Sequence, residues 1–220
     1  MDKKLNELHN KLEKHLSTQS EKWKSFVYAK EKGFYRGFEE IKINGCRPTE
    51  ERFQRYNIEK YLKKEKNALD IGCNCGFFTL FASKYLKNID GVELNPYLIE
   101  IGNDTKEYLQ NSNTDFHSSS FEDFSAKKKY DIIFSLANDE TIDGNTKFTF
   151  KEYINKICDF LNPNGFLMFE TVSPDTYEPK LLEPKLIILK NYFEILEDKM
   201  VKSEYPLNVP ERRFLVLKMK

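Results

Sequence analysis

The chain has 220 residues, enough for one main domain with a full hydrophobic core but too few for two average domains. Lys plus Arg and Asp plus Glu both number 35, so the formal net charge is zero, and no global basic field attracts nucleic acid or an anionic membrane. The four cysteines are scattered, the N-terminus lacks an apolar leader, and no run approaches the ~20 apolar residues of a membrane span, so we expect a protein of the reducing cytoplasm.

The N-terminal region is predicted to be a helical extension or lid over residues 1–49. Four leucines recur there at three- and four-residue steps among charged residues: Leu5, Leu8, Leu12 and Leu16. This spacing predicts an amphipathic helix that docks on something larger. Thr49 is predicted to cap a second helix over about 50–62.

From residue 67 onward, short apolar runs alternate with helical segments, which indicates a mainly parallel sheet covered on both faces. The predicted strands are 67–72, 89–94, 114–118, 130–136 and 165–171. The predicted helices lie near 77–87, 96–110 and 150–161. After Pro184 the pattern predicts a short helix to Phe193 and two further strands, which form a closing hairpin and give the sheet an antiparallel member.

The stretch "LDIGCNCGFF" lies where the first of these strands turns into a helix. Its glycines allow a ligand to approach the backbone closely, and the amides at the helix start offer donors to it. The next strand ends in Glu93, close to the spacing at which an acid binds both hydroxyls of a ribose. The alternative is a metal-binding Cys73–Cys75 pair, but no second Cys or His pair completes a tetrahedral site, so no metal ligands are predicted.

This loop and acid, together with "SFEDF", "YDIIFSLAN" and "LNPNGFLMFET", resemble the class I S-adenosylmethionine-dependent methyltransferases over roughly residues 50–220. The resemblance implies an α/β, Rossmann-like, doubly wound, seven-stranded and mainly parallel sheet with an antiparallel last strand. It also implies S-adenosylmethionine as the cofactor. The family loop has glycine where this chain has Asn74, and asparagine tolerates a positive φ better than most residues.

The resemblance also implies roles for individual positions. Asp70 corresponds to the acid that orders the loop, Glu93 to the ribose acid, and the segment after the third strand to the adenine flank. An arginine-containing helix before the loop adds two residues that can meet the cofactor or an anionic acceptor. The predicted cofactor-binding residues are Arg52, Tyr56, Asp70, Gly72, Asn74, Gly76, Phe77, Glu93, Leu94, Ser120, Phe121, Glu122, Ser135, Ala137 and Asn138.

Methyl transfer from a sulfonium is an in-line displacement, so the enzyme mainly aligns the acceptor, and an alcohol acceptor also benefits from a base. Asp139 and Glu140 follow the fourth strand and are the predicted catalytic residues, with Asp143 and Glu170 as further acids near the crevice. A divalent metal held by some of these acids is an alternative that no ligand spacing supports.

The predicted acceptor is a small polar molecule. Arg47, Arg55, Tyr35 and Tyr205 are expected to frame its pocket, and this makeup favours a sugar hydroxyl. The pattern also loosely resembles methyltransferases of bacterial surface-glycan and capsule pathways. The oligomeric state is not predicted.

Three other readings compete. One is a transfer-RNA methyltransferase of the wobble-uridine type, which the zero net charge disfavours. A second is a nicotinamide-dependent oxidoreductase, whose Tyr-x-x-x-Lys motif would stand downstream of the glycine loop and not at Tyr56. The third is a non-catalytic module that binds S-adenosylmethionine.

Overall fold

The computed structural model describes residues 3–25, 29–30, 33–140, 147–172, 178–203 and 209–220. Asp143 and Tyr205, both named above, lie outside these ranges. The described α-helices are α1 (Lys3–Lys22), α2 (Thr49–Tyr56), α3 (Phe77–Ala82), α4 (Pro96–Tyr108), α5 (Phe150–Phe160) and α6 (Pro179–Tyr192).

The strands form two sheets. The smaller sheet contains β1 (Ala29–Lys30), β2 (Gly33–Gly37) and β3 (Gly45–Pro48). The larger sheet contains β4 (Asn67–Ile71), β5 (Asn88–Glu93), β6 (Thr114–Ser118), β7 (Tyr130–Leu136), β8 (Leu161–Glu170), β9 (Phe193–Lys202) and β10 (Glu211–Met219).

The seven-stranded sheet has the order β6-β5-β4-β7-β8-β10-β9. Strand β10 is antiparallel to both β8 and β9, whereas the other described pairings in this sheet are parallel. The mainly parallel, seven-stranded fold with an antiparallel last strand is therefore confirmed. The chain runs outward from β4 to β6 and then returns to place β7 beside β4, which creates the switch point where open α/β sheets bind ligands.

The central strands are apolar because both faces of the sheet are covered. Leu69, Ile71 and Ile133 lie in one hydrophobic cluster, and Ala68 and Ile132 lie in another. This alternation along neighbouring strands places the two clusters on opposite faces. The result is a rigid support for the loops at the strand ends.

Helix α1 docks on α4, as the leucine spacing predicts. Leu5, Leu8, Leu12 and Leu16 are buried and share a cluster with Leu98 and Ile101 of α4. Phe34 of β2 and Phe38, just after that strand, pack against Phe77 with ring centroids 6.2 and 5.5 Å apart. The N-terminal segment is thereby packed next to the glycine loop; its boundary at residue 49 stays a prediction.

Several predicted element ends are wrong. Helix α2 ends at Tyr56 because Asn57 adopts a left-handed conformation, and Thr49 lies inside the helix without a capping side-chain hydrogen bond. Helix α3 is shorter than predicted and continues as a 3₁₀ turn. Helix α6 begins at Pro179, so Pro184 stands inside it.

Among the described helices, none is both long and apolar enough to cross a bilayer. The four cysteines are free thiols, and Cys73 and Cys75 are buried.

Candidate active site

Four parallel strands end at the same edge of the large sheet. Strands β4, β5, β7 and β8 stop at Ile71, Glu93, Leu136 and Glu170, and each is followed by a loop. Because parallel strands share one carboxyl edge, these loops surround a single crevice at the switch point.

The first loop turns sharply through three left-handed residues. Gly72, Asn74 and Gly76 have φ values of 64°, 56° and 71°. A Cβ atom on Gly72 would lie 2.5 Å from Asn138 Oδ1, so glycine is needed there for space as well as for conformation. Asn74 stands where the family loop has glycine, and it adopts the positive φ that this position requires. Phe77 begins α3 and is completely buried.

Glu93 ties the loop to the end of the neighbouring strand. Its Oε2 accepts a hydrogen bond from the Asn74 backbone N–H at 3.0 Å, and its Oε1 accepts one from the Asn95 N–H at 2.9 Å. The carboxylate is buried, and Leu94 beside it is half-buried. The loop and the predicted ribose acid are therefore one hydrogen-bonded unit.

Asp70 lies beneath the same loop. Its Oδ2 accepts a hydrogen bond from Thr79 Oγ1 at 2.6 Å, which fixes the first turn of α3. Burial raises the pKa of Asp70 to about 6, and this effect outweighs the hydrogen bond and the nearby arginines, which lower it. Near neutral pH, Asp70 is a buried carboxylate maintained at a cost in stability.

The Asp70→Asn variant should be more stable than the wild type at pH 7. A carboxyl whose folded pKa is about 6, against ~3.9 unfolded, contributes stability below pH ~4 that is lost as the pH rises through 6. Two pKa units correspond to at most ~3 kcal/mol. Urea unfolding at pH 4 and pH 7 measures the effect. The free energies of unfolding of Asp70→Asn and the wild type should differ at pH 7 and converge at pH 4. Equal stability at both pH values would contradict this assignment.

Substitution of Asn74 separates its backbone role from its side-chain role. Asn74→Ala should lower the free energy of unfolding by ~1 kcal/mol, because alanine is strained at positive φ, whereas Asn74→Gly should not. The buried Asn74 Oδ1 has no hydrogen-bond partner among the described residues, so both variants should bind the cofactor more weakly. Chemical unfolding and calorimetric titration give the two readouts. Full cofactor affinity in Asn74→Gly would restrict Asn74 to the backbone role.

The end of β7 brings three more predicted residues to the crevice. Ser135 Oγ lies 2.8 Å from the Tyr153 hydroxyl, and Ala137, with a φ of 63°, donates its N–H to the Glu170 carbonyl at 2.9 Å. The Asn138 side-chain amide donates to the Ile71 carbonyl. The β7 loop is thus bonded to both neighbouring strand ends.

The segment after β6 is less favourable to the predicted adenine contacts. Phe121 is completely buried; its ring packs edge-on against Tyr153 at 5.1 Å, and Lys156 Nζ lies over the ring, 5.4 Å from its centroid. Glu122 accepts a hydrogen bond from the Lys147 N–H, and Ser120 Oγ donates to Asp123 at 2.6 Å. The adenine contacts of Phe121 and Glu122 stay a prediction.

Asp139 and Glu140 both contact Lys185 of α6. Asp139 Oδ2 lies 2.6 Å from Lys185 Nζ, and Glu140 Oε1 lies 2.8 Å from it. The Asp139 side chain is fully buried, whereas that of Glu140 is 65% exposed. Both predicted catalytic acids therefore form ion pairs with Lys185, a residue that was not predicted from the sequence.

Glu170, at the end of β8, is the centre of a buried polar cluster. Arg47 Nη2 donates to its Oε1 at 2.9 Å, Arg52 Nη2 donates to its Oε2 at 3.2 Å, and the Tyr56 hydroxyl also donates to Oε2. Arg212 Nε lies 3.5 Å from Oε1. Burial alone would raise the pKa of Glu170, but these arginines hold it well below its usual range. We name this group the Glu170 cluster.

The Glu170 cluster corrects the predicted pocket in one respect. Arg47, Arg52 and Tyr56 converge, but Arg55 points to the helix surface and pairs with Glu51 at 2.7 Å. Three residues face inward because positions 52 and 56 are one helical turn apart and Arg47 enters from β3.

Tyr35 and Arg36 of β2 extend the Glu170 cluster toward the glycine loop. Burial would raise the pKa of Tyr35, but Arg47 and Arg36 lower it to about 8. Burial, followed by repulsion from Arg52, lowers the pKa of the Arg36 guanidinium to about 9. The guanidinium lies over the Tyr35 ring, 4.9 Å from its centroid.

The sequence did not single out three polar residues at this edge: Gln19, Arg36 and Lys185. Gln19, at the end of α1, is fully buried; its Oε1 accepts from Asn95 Nδ2 at 2.6 Å, and its Nε2 has no partner among the described residues. A polar residue on the leucine face of α1 was the available signal for Gln19. Nothing local distinguished Arg36 and Lys185. Arg212 lies in the segment "SEYPLNVPERR", which is long for a hairpin loop and was expected to frame the acceptor pocket.

The described residues include no group of three or more His, Cys, Asp or Glu side chains arranged to hold a metal ion. A nucleoside with an amino-acid tail fits the crevice better. Buried Asn74 Oδ1 and Gln19 Nε2 provide an unused acceptor and an unused donor beside the Glu93 carboxylate. The loop residues, Glu93 and the β7 end would hold such a ligand.

The strand order, the glycine loop and its acid define a class I S-adenosylmethionine-dependent methyltransferase, with S-adenosylmethionine as the cofactor. The chain matches the family described as "Methyltransferase domain" over residues 62–209, more than half of its length, and it belongs to that family.

Curated relatives carry a more specific name. Two malonyl-[acyl-carrier protein] O-methyltransferases of Ilyobacter polytropus are 32% identical over 118 residues and 30% identical over 157 residues. These matches cover 52% and 66% of this chain, and 41% and 56% of the relatives. The chain thus spans about half the length of the curated relatives it matches.

Solved structures share the fold. The N-methyltransferase NodS from Bradyrhizobium japonicum, in complex with S-adenosylhomocysteine, has a TM-score of 0.61 at 15% identity and covers 99% of both chains. A methyltransferase from Pyrococcus furiosus has a TM-score of 0.60 at 16% identity and covers 96% of both chains. At these identities the likeness concerns the fold alone.

Proposed function

We propose that this chain transfers the methyl group of S-adenosylmethionine to an oxygen atom of a small polar acceptor. The observation that carries the proposal is the Glu170 cluster, a buried set of arginines and a tyrosine that extends through Tyr35 and Arg36 toward the glycine loop. Such a lining suits a polar acceptor better than an apolar one.

The cofactor supplies an electrophilic methyl group. The protein's task is then to align the acceptor oxygen with that group and to keep water out, and alignment alone can contribute ~7–11 kcal/mol. The glycine loop, Glu93 and the β7 end would fix the cofactor, and the Glu170 cluster would orient the acceptor.

Two oxygen chemistries remain candidates. The first is a sugar hydroxyl, which the residue types of the predicted pocket favour and which must lose its proton. Asp139, buried next to Lys185 after β7, is the proposed base, with Glu140 beside it. The name of the curated relatives adds an acceptor with a free carboxyl group, malonyl-[acyl-carrier protein]. A carboxylate oxygen is already a nucleophile and needs no base, and the excess of arginines over acids in the cluster favours an anionic acceptor.

A labelled-methyl transfer screen tests the proposal. The acceptors are neutral nucleotide sugars, uronic acids, a malonyl thioester and transfer RNA, each with and without a divalent metal. Labelling of a sugar or of the malonyl thioester is the expected result. Labelling of transfer RNA alone would favour the nucleic-acid alternative, and S-adenosylmethionine binding without transfer to any class would favour a non-catalytic module.

Asp139→Asn separates the two chemistries. It should lower hydroxyl methylation by ~100-fold or more, within the range for loss of a general base, and leave carboxylate methylation nearly unchanged. Glu183→Gln, an exposed change on the helix that carries Lys185, is the matched control. Thermal unfolding of both variants shows whether the fold persists, because Asp139 is buried.

We also propose that the reaction occurs in the cytoplasm, which the four free thiols support. The glycan pathway named in the sequence analysis depends on the sugar arm of the screen.

A further inference from the structure

The Glu170 cluster has more positive than negative charge. Four guanidinium groups belong to it or extend it, those of Arg36, Arg47, Arg52 and Arg212. Among the described residues, Glu170 is the one carboxylate that Arg47, Arg52 and Arg212 contact. Even with Asp70 included, the arginines outnumber the carboxylates. Buried charges need compensation, so this excess favours an anion from outside the described chain.

Arg36, like Arg212, has a buried donor that no described residue uses. Its Nη1 is buried and has no hydrogen-bond partner among the described residues, whereas Arg47 and Arg52 are bonded to Glu170. Arg36 pairs in register with Arg47 across β2 and β3, and Gly45 allows that close approach, since a Cβ there would lie 2.2 Å from the Arg36 carbonyl carbon.

Arg36 also lies within electrostatic reach of the cofactor loop. Burial raises the pKa values of Asp70 and Cys75, and the positive charge of Arg36 opposes that rise at both residues. Its guanidinium thus interacts electrostatically with residues of the glycine loop, and its backbone pairs with that of Arg47 of the Glu170 cluster.

We propose that Arg36 binds a carboxylate group of a ligand seated between the glycine loop and the Glu170 cluster. Two ligands carry such a group: the cofactor, in its methionine part, and an acceptor of the malonyl or uronate type. A guanidinium with an unused Nη1 donor suits either one, because its hydrogen bonds to a carboxylate are charge-assisted. The inference rests on the proposed function.

Calorimetric titration distinguishes the two sources without measuring catalysis. The probes are S-adenosylhomocysteine, 5′-methylthioadenosine, which lacks the amino-acid part, and malonate added to protein saturated with S-adenosylhomocysteine. The variants are Arg36→Gln, Arg36→Lys and the control Arg213→Gln, whose arginine pairs with Asp198 on the sheet surface. Thermal unfolding verifies the fold of each variant.

We expect Arg36→Gln to lower the affinity for one carboxylate probe by ~10-fold or more, the change typical for loss of a charge-assisted hydrogen bond. The affinity for 5′-methylthioadenosine should not change. Weaker S-adenosylhomocysteine binding assigns the carboxylate to the cofactor; weaker malonate binding alone assigns it to the acceptor. The affinity of Arg36→Lys for that probe should lie between those of Arg36→Gln and the wild type. Arg213→Gln should bind all three probes with the affinity of the wild type.

Equal weakening of all three probes would overturn the proposal, because it would mean a structural role for Arg36. Unchanged binding of both carboxylate probes would overturn it as well. Failure of the proposed function looks different: wild-type protein would then bind no S-adenosylhomocysteine, or would transfer no methyl group to an oxygen acceptor.

Discussion

The Glu93→Ala variant should lose at least ~100-fold in affinity for S-adenosylhomocysteine. The Glu93 carboxylate holds the Asn74 and Asn95 amides, and it is the proposed partner of the ribose hydroxyls. The variant removes both roles at once: it frees the loop that approaches the ligand, and it deletes charge-assisted hydrogen bonds that each contribute ~1.5–3 kcal/mol. Isothermal titration calorimetry measures the loss.

A matched control comes from the next strand. Asp115→Ala removes a carboxylate from β6 that is 72% exposed in its side chain and pairs with Lys106 at 3.2 Å. This variant should bind S-adenosylhomocysteine like the wild type. If Glu93→Ala retained affinity within ~3-fold of that control, Glu93 would not be the ribose acid.

Replacement of Glu170 by glutamine should cause the largest loss of stability. Glu170 is fully buried and receives hydrogen bonds from Arg47, Arg52 and Tyr56. Removal of the one carboxylate leaves buried guanidinium groups uncompensated, which costs ~3–5 kcal/mol. Chemical denaturation of Glu170→Gln against the wild type gives the difference in the free energy of unfolding.

The pH dependence gives a second readout for Glu170. Its folded pKa lies well below the ~4.3 of an unfolded glutamate, so its contribution is complete above that pH and is lost on acidification. Glu170→Gln should therefore lose less stability between pH 5 and pH 3 than the wild type does. Glu194→Gln, an exposed change on β9, should match the wild type throughout. A Glu170→Gln cost below ~1 kcal/mol would contradict the cluster as described.

The sheet and the loop could be predicted from the sequence because their signals are local. The apolar runs of β4, β5 and β7 report strands buried on both faces, and the glycines of residues 72–76 report a turn with positive φ. Asn74 was the one departure from the family loop, and its conformation agrees with the prediction.

The Glu170 cluster could be predicted only in part. The helical spacing of Arg52 and Tyr56 indicated a shared face, but nothing near Glu170 in the chain shows that residues 47, 52, 56 and 212 meet it. Arg36 was missed for the same reason: its position depends on how β2 pairs with β3 and how both pack on α3. The contacts of Arg47, Arg52 and Tyr56 with Glu170 span more than a hundred residues and have no local signature.

Pro184 shows the opposite error, in which a local rule misled. Proline commonly begins or ends helices, so the helix was predicted to start after it. The structure begins α6 at Pro179, and the helix continues past Pro184 and brings Lys185 to Asp139. Buried contacts of Leu182, Lys185 and Leu189 offset the local preference.

The most direct test of the cofactor assignment is a calorimetric titration of the wild-type chain with S-adenosylhomocysteine, S-adenosylmethionine and NAD. We predict saturable one-to-one binding of both sulfur nucleotides, none of NAD, and loss of binding in Glu93→Ala. Failure of both sulfur nucleotides to bind a folded wild-type chain would contradict the account.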